Sequence, residues 1–271
     1  TVLTGDLDLW TFTANSGDNI VVRMGQITDT NTFYPWLRLY SPSGVLLGNY
    51  ADSTVAEVST RATNSGTFML IVSDGNGGLF GSGDYRLILA KTGDPIVTSA
   101  GDAGGALNGA STYDGTIDTG DLDVFYFTAC VGDSLVLQMD ELVSGSSLTP
   151  WLRLYGRDGT LIRSVSGAST ALISVTATNA GIFTLLAADG NGALNGTGTY
   201  RLTLNGLSAG LKLCAPVLVG ANVNLAGIGG TSNATFIVFT HTNVTTPLAQ
   251  WTPVLTNQFD QYGVFNRTNV S

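Results

Sequence analysis

Two triplets of tryptophan, arginine and tyrosine have the residue types and the spacing that binding chemistry needs. Both lie in the hexapeptide PWLRLY, which occurs at Pro35–Tyr40 and again 115 positions later at Pro150–Tyr155. Side chains alternate between the two faces of a strand, so in each copy the leucines share one face and the triplet shares the other. Aromatic rings offer apolar area to a sugar ring, and arginine offers a fork of hydrogen-bond donors.

The triplets therefore predict two glycan-binding platforms. The candidate residues are Trp36, Arg38, Tyr40, Trp151, Arg153 and Tyr155. We favour a purely structural interpretation over this one. Each arginine could be a cation–π staple between its aromatic neighbours, or a neighbouring domain could cover the whole row.

Two glycine-rich loops, DGNGGLFGSGDY at 74–85 and DGNGALNGTGTY at 189–200, space oxygen-bearing side chains in a way that suits calcium. The calcium candidates are Asp74, Asn76, Asp84, Asp189 and Asn191. Thr199 replaces Asp84 in the second loop, which leaves that loop short of charge. We favour the alternative, a long hairpin in which Asp and Asn satisfy local backbone groups. Neither repeat is then expected to depend on calcium.

Two acidic pairs, Asp6 with Asp8 and Asp121 with Asp123, alternate with leucine and are predicted to point away from the core. No histidine, cysteine or lysine motif accompanies them, so a solvated turn or a metal contact is expected and catalysis is not. The one histidine, His241, stands in FTHTNVTT, and no GxSxG elbow is present to join it. We interpret His241 as a polar strand residue and predict that the chain is not an enzyme.

Cys130 and Cys214 are the only cysteines. They either form one disulfide that ties the second repeat to the C-terminal segment, or remain two buried thiols. No third sulfur and no partnering histidine complete a metal site.

The composition excludes several classes of protein. Among the 271 residues the charged fraction is 11%, the hydrophobic fraction is 44% and the net charge is -9. That negative charge argues against a sequence-independent grip on nucleic acid, which needs Lys and Arg. No apolar run reaches the roughly 20 residues of a membrane helix. Low charge with abundant Gly, Thr, Ser and Asn favours an extracellular, already processed β-protein.

The chain is a tandem duplication. About four in ten positions are identical when the sequence is shifted by 115 residues. Short apolar stretches of period two, separated by glycine-rich turns, predict an all-β fold: two homologous jelly-roll-like antiparallel sandwiches and a third, smaller β unit. The predicted domains are 1–90 and 104–205, with a linker at 91–103 and a C-terminal β-module at 206–271.

The repeated motifs resemble the bacterial pre-peptidase C-terminal domain. The matching segments are 5–12, 17–18, 35–40, 44, 64–68 and 83–89, together with their copies 115 positions later. The family's acidic pair after the LRLY strand is absent from GNYADS and RSVSGA. The tail resembles the C-terminal β-modules of secreted proteins from environmental bacteria. The resemblance implies small non-catalytic sandwiches linked to substrate binding, secretion or attachment to the bacterial cell surface.

Self-association is the function that we expect. Residues 104–115, GGALNGASTYDG, predict a leading strand and a turn for the second repeat. The first repeat begins at Thr1, inside the equivalent of that turn, so the equivalent leading strand is absent from this sequence. A sandwich without an edge strand exposes backbone groups that invite a strand from another chain. Residues 211–220 or 262–271 could supply it, and such head-to-tail contacts generate filaments. The alternative is a carbohydrate-binding module of a secreted or cell-surface system that degrades polysaccharides.

Overall fold

The computed structural model describes residues 1–27, 32–77, 79–93, 95–98, 102–109, 111–207, 210–220 and 222–270. Residues 94 and 99–101 of the predicted linker lie outside these ranges. Within them the regular elements are strands, apart from one 3-10 turn at Leu248–Gln250, and the predicted all-β class is confirmed. No helix in the described ranges has the length and apolar character needed to cross a membrane.

The first repeat is a sandwich of two antiparallel sheets. Its strands are β1 (Asp8–Ala14), β2 (Asn19–Gln26), β3 (Pro35–Tyr40), β4 (Leu46–Ala51), β5 (Val55–Arg61), β6 (Gly66–Asp74) and β7 (Tyr85–Lys91). The sheet orders are β1-β6-β3-β4 and β5-β2-β7. Along β3 the leucines Leu37 and Leu39 are buried, because alternate side chains of a strand share one face. They join Phe33, Phe68 and Met24 in the core between the sheets.

The second repeat has the same plan with two more strands. Its strands are β8 (Gly104–Ala106), β9 (Ser111–Ile117), β10 (Leu122–Ala129), β11 (Ser134–Glu141), β12 (Pro150–Tyr155), β13 (Leu161–Ser166), β14 (Thr170–Thr176), β15 (Gly181–Asp189) and β16 (Gly198–Asn205). The sheet orders are β13-β12-β15-β10-β8 and β14-β11-β16-β9. β8 runs parallel to β10, and the other neighbours in these two sheets are antiparallel.

The C-terminal unit forms two further small sheets. Its strands are β17 (Lys212–Leu213), β18 (Val217–Val219), β19 (Asn222–Ile228), β20 (Thr235–Thr240), β21 (Thr252–Gln258) and β22 (Phe265–Val270). β19 pairs with β17, β18 and β22, while β20 and β21 form a hairpin. Phe236, Phe259 and Phe265 cluster between the two sheets, with ring centroids 4.2–5.8 Å apart.

The two sandwiches stack sheet on sheet, so that four layers follow one another. The sheet β5-β2-β7 of the first repeat packs on the sheet that contains β10, β12 and β15 of the second. The buried cluster between them contains Val21, Ile88, Ala90, Leu122, Val124, Tyr155, Leu186 and Ala188. One outer face of the second sandwich is therefore an internal interface of the chain.

The edges of the two sandwiches differ. In the second repeat β8 lies beside β10 and β9 lies beside β16. Within the described ranges, β1 and β7 of the first repeat have one neighbouring strand each. In the first repeat, one isolated β-bridge pairs Val2 with Gly83, just before β7. It is equivalent to the pairing of Ile117 with Gly198 in the second repeat. Among the described residues, most of the edge of β7 thus has no neighbouring strand.

Candidate functional site

The first aromatic row lies half-buried on the outer face of β3. The guanidinium carbon of Arg38 is 4.1 Å from the ring centroid of Trp36, and an Nη of Arg38 donates to the Ser73 hydroxyl at 3.1 Å. The indole N–H of Trp36 donates to the Asn49 side-chain oxygen at 2.6 Å. These contacts match the cation–π alternative and hold the row rigid, while leaving part of Trp36, Arg38 and Tyr40 accessible to solvent.

The second row is not an exposed platform. Arg153 is 5% exposed and Tyr155 is 2% exposed, because the first repeat covers β12. Arg153 still stacks on Trp151, at 4.2 Å from the ring centroid. The prediction of a second open glycan-binding row is therefore wrong for Arg153 and Tyr155, and the alternative of a covering domain describes them.

Glu57 of the first repeat is the carboxylate that meets the second row. Its two oxygens accept hydrogen bonds from Arg153 at 2.7 and 3.0 Å, and Oε2 also accepts one from Nε of Arg23 at 2.8 Å. Burial by itself raises the pKa of Glu57. The two guanidinium groups outweigh burial and hold the pKa of this carboxyl below its ordinary value. Glu57 is thus ionised at neutral pH and contacts two buried cations, Arg23 of its own repeat and Arg153 across the interface.

The glycine-rich loops have their aspartates turned inward. Oδ1 of Asp74 accepts the backbone N–H groups of Tyr34 and Asn76, and Oδ2 accepts that of Gly81. Asp74 is 2% exposed. These contacts match the hairpin interpretation, in which the acid closes the loop by satisfying backbone donors.

The other calcium candidates in the loops follow the same pattern. Asp189 accepts the N–H groups of Thr149 and Gly196 at 2.8 and 2.9 Å. Asn191 accepts those of Ala193 and Asn195. Asn76 donates to the carbonyl of Thr32 at 3.3 Å, and Asp84 accepts the hydroxyl of Thr1. These residues serve loop closure and do not converge on one point.

Three other carboxylates do converge. Asp102, Asp121 and Asp123 each place an oxygen within 4.8 Å of the others. The sequence predicted that Asp121 and Asp123 point away from the core, and this is wrong, because they are only 3% and 0% exposed. Asp123 shares the inward face of β10 with Phe125 and accepts a hydrogen bond from the Tyr200 hydroxyl. Leu122 is the residue that faces outward, against the first repeat.

Burial and mutual repulsion make this cluster costly to ionise. Burial, and then the charge of Asp102, raise the pKa of Asp121 to about 6. Burial is also the main reason that the pKa of Asp123 rises to about 9. Oδ1 of Asp123 accepts no hydrogen bond from a donor group of the described residues, and Asp102 is the acid with which Asp123 shares a proton. A buried oxygen without a donor, beside two more carboxylates, is a donor set that suits a hard divalent cation such as calcium.

Sequence reasoning missed Asp102 because Asp102 is remote in the chain from the DLD motif. The parallel pairing of β8 with β10 sets Gly104 opposite Val124, and this register carries Asp102 to Asp121 and Asp123. The equivalent pair in the first repeat is Asp6 and Asp8, and no third acid joins it among the described residues. There Asp8 accepts the Tyr85 hydroxyl at 2.7 Å.

The C-terminal unit is attached to the second repeat by a disulfide and by polar contacts. Cys130 and Cys214 are bonded, which is the first of the two predicted alternatives. Lys212 pairs with Asp133 at 2.7 Å beside them. A cleft of about 430 Å³ between the two units is lined by five glycines among its sixteen residues, and its aromatic residues are Tyr126, Phe127 and Tyr262. His241 lies away from these groups, and its Nδ1 accepts the N–H of Asn243 at 2.9 Å.

Comparisons with known proteins give distant likenesses. No protein-family model and no curated protein matches the chain. Among solved structures, the chain is similar to the pre-peptidase C-terminal domain of a collagenase from Bacillus anthracis, with 15% identity, a TM-score of 0.33, and coverage of 40% of this chain and 100% of that one. It is also similar to PliG from Salmonella Typhimurium, a periplasmic inhibitor of g-type lysozyme, with 16% identity, coverage of 38% and 97%, and a TM-score of 0.28.

A third likeness is to a Clostridium perfringens structure of the M60 catalytic domain with the two CBM51 domains of ZmpB. The identity is 9%, the TM-score is 0.23, and the match covers 73% of this chain and 33% of that one. At these scores the likenesses carry no argument about function. The fold rests on the chain's own sheets and cores.

Proposed function

We propose that the chain is a non-catalytic extracellular module of the pre-peptidase C-terminal kind, which associates with other copies of itself by strand addition at the first repeat. The observation that carries this proposal is the difference between the edges of the two sandwiches. β8 and β9 pair with the edges of β10 and β16 in the second repeat, whereas no described strand pairs with the equivalent edges of β1 and β7 in the first. Unpaired edges of this kind bind extended segments through backbone hydrogen bonds.

The disulfide between Cys130 and Cys214 supports the location of this module. Disulfides persist in oxidising compartments, which for a bacterial protein means the periplasm, the cell surface or the medium.

The geometry at the edge of β7 restricts the amino-acid sequence of a strand that can pair there. In the second repeat β9 crosses Tyr200 at Gly115, and a Cβ placed on Gly115 would lie 2.5 Å from the Tyr200 ring. Tyr85 occupies the equivalent place in the first repeat. A strand added there therefore needs glycine opposite Tyr85.

The predicted donor segments are strands of the C-terminal sheet. Residues 211–220 include β17 and β18, residues 262–271 include β22, and each of these strands pairs with β19. They form the two edges of that sheet, and Leu218 in β18 is 75% exposed. Donation from one of these edges to the first repeat of a second copy is head to tail, so it builds a filament unless the rotation closes a ring.

The test adds a strand at this edge within the same chain. Residues 104–115 are fused directly ahead of Thr1, which reproduces the register that they have before residue 116. We expect the native 28.1 kDa chain to form concentration-dependent oligomers in light scattering and the fusion to remain smaller. The matched control is the same fusion with valine in place of the copy of Gly115. That variant collides with Tyr85 and should associate like the native chain. A native chain that stays monomeric at high concentration contradicts the proposal.

Polysaccharide binding by the first row is the second candidate. The observation in its favour is the rigid, partly exposed stack of Arg38 on Trp36. Trp36→Ala should abolish binding to an insoluble polysaccharide, while Trp151→Ala, in the covered row, should leave binding unchanged. Equal loss from the two substitutions would argue against a site on β3.

Calcium is the cofactor that we propose, at Asp102, Asp121 and Asp123 and not in the glycine-rich loops. The support is the convergence of three carboxylates, with Asp123 fully buried and its Oδ1 accepting no hydrogen bond from a donor group of the described residues. A bound cation would replace the protons that the raised pKa values keep on this cluster.

A further inference from the structure

The outer face of the sheet β1-β6-β3-β4 retains the features of a surface that is covered in the second repeat. Its residues Leu7 and Leu9 are 53% and 61% exposed, whereas the equivalent Leu122 and Val124 are 1% and 3% exposed. Each of the two faces also carries a tryptophan, arginine and tyrosine row from its own copy of PWLRLY. The two surfaces are therefore of the same kind, and they differ in whether a sheet is packed on them.

The covered face shows what its partner must carry. Glu57 meets Arg153 at 2.7 and 3.0 Å. At one end of the interface, a Cβ on Gly25 would lie 2.5 Å from the carbonyl oxygen of Thr119 and 2.8 Å from Cα of Gly120. A glutamate opposite the arginine and a glycine at this close approach are thus the requirements for docking.

The open face keeps the room that docking needs. Gly120 and Gly159 touch the first repeat, and their equivalents are Gly5 and Gly44. Gly5 and Gly44 have φ values of 76° and 80°, and nothing lies within 4 Å of a Cβ placed on either. The turns at the two ends of the open face are therefore shaped like those of the covered one, but they are unoccupied.

A second copy of this chain does not meet the requirements in this geometry. Its own β5-β2-β7 face is already buried, which leaves the face of β14-β11-β16. The residues 115 positions after Arg23, Gly25 and Glu57 are Gln138, Asp140 and Leu172. Leucine at the glutamate position leaves Arg38 unpaired, and aspartate at the glycine position meets backbone. The outer face of the second repeat thus lacks the glutamate and the glycine that this docking geometry requires.

We propose that the outer face of β1-β6-β3-β4 is a docking surface for the sheet of a further β-sandwich, one that presents a glutamate to Arg38 and a glycine to Gly5. Arg38 pairs with that carboxylate as Arg153 pairs with Glu57. Small apolar residues around the partner's glutamate, equivalent to Val21 and Ala90 in the covered interface, bury Leu7 and Leu9. This surface is separate from the open strand edges.

The test adds one whole period of the chain. Residues 1–115 are fused ahead of Thr1, so that an inserted first repeat can dock on the native one. The native copy carries Leu9→Cys, and the reaction of the new thiol with a maleimide is timed. We expect this thiol to react at least tenfold more slowly than in the fusion of residues 104–115 alone, which supplies the strand without the sandwich. Val244→Cys, at a site 81% exposed in the C-terminal unit, reports the unprotected rate in each protein.

The inserted copy alone then carries Gly25→Asp and Glu57→Leu. The second repeat tolerates Asp140 and Leu172 at these positions, so the inserted sandwich should fold, and the thiol of Leu9→Cys should regain its fast reaction. Equal rates for the 115-residue and 104–115 fusions overturn the proposal. Protection of the same thiol in the unfused Leu9→Cys chain at high concentration assigns the face to a second copy, and protection by a polysaccharide assigns it to sugar. Either result also overturns the proposal.

Discussion

Arg153 and Glu57 face each other across the boundary between the two repeats, with donor–acceptor distances of 2.7 and 3.0 Å. The equivalent arginine, Arg38, has the hydroxyl of Ser73 at 3.1 Å, and no carboxylate pairs with it among the ion pairs of the described residues. One hexapeptide therefore has two roles, and position in the stack distinguishes them.

This pair of arginines provides a matched mutational comparison. Arg153→Gln leaves the charge of Glu57 buried with only Arg23 beside it, and we expect the free energy of unfolding to fall by roughly 3–5 kcal/mol. Arg38→Gln removes one partly exposed cation–π contact and should cost about 1 kcal/mol or less. Urea unfolding of the two variants measures both values. Similar losses of unfolding free energy in the two variants would show that the Arg153–Glu57 pair stabilises the protein no more than the contact of Arg38 with Trp36.

Glu57 predicts how acid weakens the interface. Its folded-state pKa is lowered, so its contribution to stability is present above the unfolded pKa of about 4.3 and is lost as the pH falls through the lower folded value. Stability of the native protein should therefore drop more steeply below pH 4 than that of Glu57→Gln, which starts lower. Thermal midpoints from pH 6 to pH 2 test this. Parallel curves would contradict it.

Asp123 predicts the opposite dependence in alkali. Its folded-state pKa is raised to about 9, so its neutral form stabilises the fold at low pH, and that contribution is lost as the pH rises from about 4 through 9. In the presence of a chelator, the thermal midpoint of the native protein should fall over this pH range, and that of Asp123→Asn should fall less. The same experiment with Asp8→Asn is the control and should follow the native curve, because Asp8 belongs to no acidic cluster among the described residues.

Calcium should cancel that loss. At a concentration a hundredfold above its dissociation constant, a ligand stabilises by about 2.7 kcal/mol, which is a rise of several degrees in the midpoint. We expect this rise at pH 8 in the native protein and in Asp84→Asn, and not in Asp123→Asn. A rise that disappears with Asp84→Asn would return the site to the glycine-rich loop.

The disulfide predicts what holds the C-terminal unit in place. Cys130 and Cys214 enclose 84 residues of sequence separation, so loss of the bond should cost about 4 kcal/mol, chiefly through the freedom gained by the unfolded chain. Reduction should make residues 206–271 susceptible to limited proteolysis before the two sandwiches. A Cys130→Ser, Cys214→Ser variant should already be susceptible, and the reductant should not change it further. Resistance after complete reduction would mean that the contacts of Tyr262 and Lys212 suffice.

The sequence determined the β class and the duplication, because both are written in local pattern. Alternation of apolar residues, as in Leu37 and Leu39, selects the buried face of a strand whatever lies beyond it. Shared spacing between the copies of PWLRLY likewise identifies equivalent positions without any structure. The cysteine pairing and the loop-closing role of Asp74 were alternatives that the sequence offered, and contacts were needed to choose between them.

The tertiary structure decided which face of each sandwich meets another layer. Nothing local distinguishes Arg153 from Arg38, since their neighbours in sequence are the same; Glu57 makes the difference from 96 positions away. The same holds for Asp123, which the alternation with Leu122 assigned to solvent. Both faces of β10 are covered, one by the core of its own sandwich and the other by the first repeat. Alternation along the strand therefore cannot show that a carboxylate is exposed to solvent. Asp102 joins Asp123 only because β8 pairs with β10 in parallel, and long-range pairing of this kind is fixed by packing of whole sheets and not by the residues that it brings together.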